Sequence, residues 1–87
     1  MKLKDGFKIR EVAGEYMLLP VGSVDMNCVF SMSESAAWLW RSLAGRVFEE
    51  EDAVSLILEE YEVDSVTALS DVREIIGLWR ENGLIDG

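Results

Sequence analysis

The spacing of the apolar residues changes near residue 33, and this change constrains the fold more than any other feature of the chain. Before that point apolar and polar residues alternate over short stretches, as from Phe7 to Arg10. After it, apolar residues recur at helical spacing, as at Ala36, Ala37 and Trp40. Period two is typical of half-buried strands, and a spacing of three to four is typical of amphipathic helices. The sequence therefore predicts strands first and helices afterwards.

The first third of the chain is expected to form an antiparallel sheet of three strands. We predict the strands near residues 6–12, 15–20 and 27–32. Ala13-Gly14 forms a short hairpin turn between the first two, with Gly14 suited to a positive φ. Pro20 ends the second strand or marks a sheet edge. The short links favour antiparallel pairing, because parallel strands need long crossover connections.

The rest of the chain is expected to form three helices. We predict them near residues 34–44, 50–61 and 65–82. Ser33 is suited to cap the first helix, and Asp64 or Ser65 to cap the third. Gly45 and Gly83 are typical helix stops. Strands followed by helices predict an α+β fold, and the length predicts a single domain over residues 1–87.

The apolar stripes of these elements predict the core. Its expected members are Phe7, Ile9, Tyr16, Leu18, Trp40, Leu43, Ile57, Leu69, Val72, Ile76 and Trp79. Trp38 lies off the main stripe of its helix. Exposed aromatic residues can mark interfaces, but in a chain of this size we expect Trp38 to pack as a satellite of the core.

The chain is strongly acidic, and its acids are concentrated in the helical part. It has 17 Asp and Glu against 8 Lys and Arg, a net charge of −9. Such a surface is repelled by nucleic acid and by anionic membranes. In the third predicted helix, Arg73 and Arg80 are offset by Asp71, Glu74 and Glu81, which disfavours a winged-helix DNA-binding protein.

Few residues could carry catalysis or hold a metal. The chain has no histidine, which excludes imidazole acid–base chemistry and histidine ligation. The single Cys28 cannot form an internal disulfide or a Cys-rich zinc site, and we expect a reduced thiol on the apolar face of a strand. Ser31, Ser33 and Ser35 have no histidine to activate them. We therefore expect no enzymatic activity, no cofactor and no metal.

No stretch of the sequence predicts a membrane segment. Unbroken apolar runs such as Ala36 to Trp40 are about five residues long, against roughly 20 for a membrane-spanning helix and at least about 7 for a signal-peptide core. We accordingly expect a cytoplasmic protein without a membrane partner.

One short motif is similar to the carrier site of acyl carrier proteins. Their Asp-Ser-Leu serine takes a phosphopantetheine arm, and this chain has Asp64-Ser65-Val66. The third residue differs, the motif comes late in the chain, and carrier proteins lack the strands predicted for the first third. Ser65 is better explained as a helix-start residue.

Four stretches, taken in order, resemble the PqqD family, the small proteins of pyrroloquinoline quinone biosynthesis and their relatives in other peptide-modification clusters. They are Val12–Leu18, Met32–Gly45, Leu58–Asp64 and Trp79–Ile85, and with their spacing they cover nearly the whole chain. The family usually has Leu-Asn-Glu where this chain has Met-Ser-Glu from residue 32, and serine caps a helix as well as asparagine does. The acidic run at 49–51 replaces a more usual Thr-containing helix start.

The resemblance implies a winged-helix-like fold and a role as a recognition element for ribosomally made precursor peptides. In such proteins the leader of the precursor adds as a strand beside the third strand and is clamped by the third helix. A partner enzyme, often a radical S-adenosylmethionine enzyme, then modifies the core peptide. An open strand edge can accept a peptide in this way through its free backbone groups. An alternative left open is a structural adaptor that docks on the enzyme without touching the peptide.

On this basis the sequence predicts a peptide groove between the third strand and the third helix. The expected peptide-binding residues are Cys28, Val29, Phe30 and Ser31 on the strand, and Arg73, Ile76 and Arg80 on the helix. The two arginines would take leader carboxylates, while the acidic surround would reject strongly anionic peptides. We therefore expect a leader of mixed charge.

Overall fold

The computed structural model describes residues 1–21 and 30–86. The strands are β1 (Lys2–Leu3), β2 (Phe7–Val12), β3 (Glu15–Pro20), β4 (Phe30–Met32) and β5 (Ile85–Asp86). The helices are α1 (Glu34–Leu43), α2 (Glu50–Glu60) and α3 (Ser65–Glu81). The α+β prediction is confirmed, and each predicted helix ends within one residue of the observed one. The predicted start of the third strand at residue 27 lies outside the described residues.

Strands β2, β3 and β4 form an antiparallel sheet in that order. Val12 pairs with Glu15 across the hairpin, and Leu18 pairs with Phe30 on the other side of β3. Ala13 and Gly14 have φ values of 52° and 82°. Positive φ at both turn residues is the signature of a type I′ turn, whose twist matches that of the flanking strands. The order leaves β4 at an edge of the sheet.

A second, two-stranded sheet joins the ends of the chain, and the sequence did not predict it. Strands β1 and β5 pair antiparallel, with Leu3 opposite Ile85. The Lys4 N–H donates to the Leu84 carbonyl at 2.9 Å, and the N-terminal ammonium of Met1 donates to the Phe48 carbonyl at 2.9 Å. A two-residue strand is too short to show any periodicity, so no sequence pattern could have revealed it.

The core lies between the sheet and the three helices. The structure buries seven of the predicted core residues: Leu18, Trp40, Leu43, Ile57, Val72, Ile76 and Trp79. Phe7, Ile9 and Tyr16 pack against this core while half-buried. Trp38 is also half-buried, and its ring meets that of Tyr61 edge to face at 5.8 Å, as a satellite of the core.

The prediction for Leu69 was wrong. Ala68 takes the buried position on α3, and Leu69 is half-buried in a shallow depression with Val54 and Val66. Among the described residues, ten further ones are buried that were not in the predicted core: Leu3, Leu19, Met32, Ala36, Ala37, Leu39, Phe48, Ala53, Ala68 and Leu84.

Side-chain caps fix where the helices begin. Ser33 Oγ accepts the Ala36 N–H at 3.2 Å, and Asp64 Oδ1 accepts the Thr67 N–H at 2.7 Å. Each cap satisfies a backbone donor that the first helical turn leaves without a partner. The cap on Ser33 sets the corner at which β4 turns into α1. Within residues 1–21 and 30–86, no helix is both long and apolar enough to cross a membrane.

Candidate binding groove

A groove of about 360 Å³ runs between the edge strand β4 and helix α3. Its strand side is formed by all three residues of β4, Phe30, Ser31 and Met32. Phe30 is half-buried, Ser31 exposed and Met32 buried. The groove therefore offers an apolar surface beside an accessible backbone.

One edge of β4 pairs with β3, and within residues 1–21 and 30–86 the other edge is open. On the occupied edge, Met17 of β3 lies opposite Ser31, and Tyr16 lies opposite Met32. Among the described residues no strand pairs with the opposite edge. An unpaired edge presents a row of backbone N–H and C=O groups that can pair with an added strand.

The start of α1 closes one corner of the groove. Ser33, Ser35 and Ala36 line this corner, and the Ser33 and Ser35 hydroxyl oxygens lie 3.3 Å apart. Both hydroxyls can donate or accept hydrogen bonds at the groove surface. The corner thus adds two hydroxyl groups at the end of the strand wall formed by Phe30, Ser31 and Met32.

The helix side of the groove comes from one flank of α3. Trp79 is only 1% exposed and forms part of the floor, while Ile75 is half-buried above it. Leu78 is 46% exposed although it is a large apolar residue. Asp71 and Glu74 complete this wall and are exposed. The wall combines apolar side chains with carboxylates.

The structure brings two of the predicted residues to the groove. Phe30 and Ser31 line the groove between the third strand and the third helix, where the prediction put it. Cys28 and Val29 lie outside the described residues. Whether any of these residues binds a peptide stays a prediction.

The helix residues named from the sequence do not line the groove, and this part of the prediction needs correction. Ile76 is 4% exposed and belongs to the core. Arg73 Nε lies 3.0 Å from Glu50 Oε1 on α2. Arg80 Nη2 lies 3.1 Å from the Met1 sulfur. The arginines are therefore engaged away from the groove.

The reason lies in helical geometry. Successive residues of an α-helix are separated by about 100° around its axis. Relative to the buried stripe through Val72 and Ile76, the residues Ile75 and Leu78 fall on one flank and Arg73 falls on the other. The signal that could have identified the correct flank is the pair of apolar residues, Ile75 and Leu78, left over once the core stripe is assigned.

The groove has the chemistry of a binding surface for an extended chain. Strand pairing would satisfy the backbone of such a chain, and Phe30, Ile75 and Leu78 would contact its apolar side chains. Within the part of the chain that the structure describes, no group of acidic or sulfur ligands is arranged to hold a metal ion.

Comparison with solved structures places the fold. The structure of TbiB1 in complex with the TbiA(beta) leader peptide is 24% identical and superimposes with a TM-score of 0.72, covering 100% of this chain and 96% of that chain. Lasso peptide synthetase B1 complexed with the leader peptide is 20% identical, with a TM-score of 0.66 and coverage of 95% and 93%. At these identities the likeness concerns the fold.

Comparison with sequences identifies the family. No curated protein matches the chain. The family model for coenzyme PQQ synthesis protein D, PqqD, matches residues 15–85, which include β3, β4, all three helices and the start of β5. The resemblance inferred from the four sequence stretches is thereby confirmed, and the chain belongs to the PqqD family.

Proposed function

We propose that this protein is a non-catalytic recognition element that binds the leader segment of a ribosomally made precursor peptide. The leader would add as a strand to the open edge of β4 and be held against α3. The single observation that carries the proposal is that β4 has an edge with no strand partner among the described residues, beside the apolar flank formed by Ile75 and Leu78.

The physical basis is strand addition. Backbone hydrogen bonds to an edge strand give affinity that depends little on sequence, and pockets for alternate side chains give selectivity. Here Phe30 on the strand and Ile75 and Leu78 on the helix supply the side-chain contacts. These three side chains are accessible enough to gain contacts when a peptide arrives.

Family membership and the fold support the same function. Members of this family act in peptide modification, and the two similar structures are described as complexes with leader peptides. The bound precursor would then be presented to a modifying enzyme, for which a radical S-adenosylmethionine enzyme is the prediction from the family resemblance. Because ribosomally made precursors are produced in the cytoplasm, we place the protein there as part of the proposal. The proposal names no final product, since relatives of this family also occur in gene clusters whose product is not the quinone cofactor.

A fluorescence anisotropy titration tests the proposal. The probe is a labelled synthetic leader of any short precursor peptide found among the neighbouring genes. Strand addition predicts that N-methylation of alternate leader residues abolishes binding, whereas N-methylation of the intervening residues leaves it intact, because only every second N–H points at the partner strand.

Two outcomes would contradict the proposal. Equal tolerance of N-methylation at all leader positions would exclude strand addition. Absence of leader binding, combined with binding of the modifying enzyme, would favour the structural adaptor instead. Arg73→Ala and Arg80→Ala provide matched controls, since both side chains lie away from the groove, and we expect them to leave leader affinity unchanged.

A further inference from the structure

We infer that the groove selects leader segments carrying a lysine or arginine two positions from an apolar residue, an inference that rests on the proposed function. The helix wall contains two carboxylates, Asp71 and Glu74, and the residues that line the groove include no basic side chain. This differs from the leader of mixed charge that the sequence predicted, because the arginines expected to take leader carboxylates lie away from the groove.

The groove carboxylates have no cation of their own. Every Lys and Arg of the chain lies within residues 1–21 and 30–86, and the ion pairs in this part join Met1 to Glu49, Lys2 to Asp5, and Arg73 to Glu50. Neither Asp71 nor Glu74 takes part in any of them. The α3 flank that faces the groove is thus negatively charged and open to an external cation.

The two flanks of α3 differ in whether their charged side chains are paired. On the flank that faces α2, Arg73 pairs with Glu50 across the helix interface. On the groove flank, an acidic residue precedes each apolar one by four positions, as Asp71 precedes Ile75 and Glu74 precedes Leu78. The arrangement places negative charge and apolar surface next to each other along the groove.

Spacing relates this arrangement to an extended peptide. Four helical residues advance about 6 Å along the axis. Two residues of a strand advance about 6.6 Å, and their side chains point to the same face. For a peptide strand that lies along α3, a basic residue facing Asp71 is therefore two positions from an apolar residue facing Ile75. The same spacing relates Glu74 to Leu78. Charge complementarity of this kind sets register and discriminates between partners.

Selection from a displayed library of random 12-residue peptides tests the inference. The library is selected separately on the wild-type protein, on Asp71→Lys/Glu74→Lys, and on Glu59→Lys/Glu62→Lys. The last variant changes two exposed acids outside the groove and alters the net charge equally. It therefore separates groove recognition from the general attraction of an acidic protein for cations.

We expect the peptides selected on the wild type and on the Glu59/Glu62 variant to be enriched in Lys or Arg two positions from an apolar residue. Peptides selected on the Asp71/Glu74 variant should instead be enriched in Asp or Glu at that position. Exchanging Lys for Glu in the selected consensus peptide should weaken wild-type binding by about 1.5-fold to fivefold, as for exposed ion pairs, and less at high salt.

The remaining outcomes overturn the inference in distinguishable ways. If peptides are selected without a charge preference, or with the same preference on both double variants, the charge inference fails and the proposed strand addition stands. If none of the three proteins selects any peptide, the proposed function fails together with the inference.

Discussion

The indole rings of Trp40 on α1 and Trp79 on α3 meet edge to face, with centroids 5.2 Å apart and ring planes at 90°. Phe7 of β2 meets Trp40 in the same manner at 6.4 Å. Such pairs add to the free energy gained by burying the rings. The three rings connect the sheet, α1 and α3, and so fix the position of the helix that walls the groove.

Removal of the Trp79 ring should destabilise the protein strongly. Trp79→Ala is expected to lower the free energy of unfolding by about 3–5 kcal/mol, because it leaves a cavity beside Trp40. Denaturant unfolding followed by circular dichroism measures the change. Trp38→Ala is the matched control and should cost less, because Trp38 is only half-buried. An unchanged midpoint for Trp79→Ala would contradict the packing described here.

Substitution of Leu78 should weaken leader binding without unfolding the protein. Leu78 is 46% exposed and lines the groove, whereas Val66 is 77% exposed on the same helix outside it. We expect Leu78→Asn to reduce affinity for the labelled leader by about 1 kcal/mol, roughly fivefold, through lost apolar contact. Val66→Asn should have no effect. Equal losses for the two variants in the anisotropy titration would exclude the α3 flank as the peptide contact.

The hairpin turn offers a stabilising substitution. Ala13 has a φ of 52°, a left-handed conformation that costs a residue with a Cβ about 1–2 kcal/mol, and asparagine tolerates it better. Ala13→Asn should therefore raise the free energy of unfolding by about 0.5–1 kcal/mol in thermal or denaturant unfolding. Gly14→Ala, at a φ of 82°, should have the opposite effect. A destabilised Ala13→Asn protein would argue against the type I′ turn.

The sequence predicted the two hairpin strands and the three helices well because each of these elements carries a strong local signal. Alternation identified the hairpin strands, and helical spacing with capping residues such as Ser33 and Asp64 identified the helices. The sheet of β1 and β5 was missed because its strands have two residues each and pair across the whole chain. Local periodicity contains no information on such pairing.

The groove could be located from the sequence more readily than its residues could be assigned. The edge position of β4 follows from the antiparallel strand order that the short links predict, and the family resemblance implies that the peptide adds beside this strand. The facing side of α3 depends on how the helix is rotated about its axis, and a difference of one or two positions moves a side chain to another flank. Charged residues such as Arg73 were chosen for their chemistry, but only the contact with Glu50 on α2 reveals which flank they occupy.

The cap of α3 should make stability depend on acidity. The Thr67 N–H, donated to the Asp64 carboxylate at 2.7 Å, lowers the pKa of that carboxyl below its ordinary value of 3.8. A depressed native pKa stabilises the fold at a pH above the unfolded pKa, and this contribution is lost as the pH falls through the native pKa.

Asp64→Asn keeps an oxygen acceptor but does not titrate. The difference in free energy of unfolding between wild type and Asp64→Asn should therefore be constant from pH 7 to about 5 and shrink at lower pH. Urea unfolding at a series of pH values measures it. Ser33→Ala removes a cap that does not titrate, so its cost of about 1 kcal/mol should stay the same over the range. A difference for Asp64→Asn that grows as the pH falls would show that the carboxylate is not the species that caps α3.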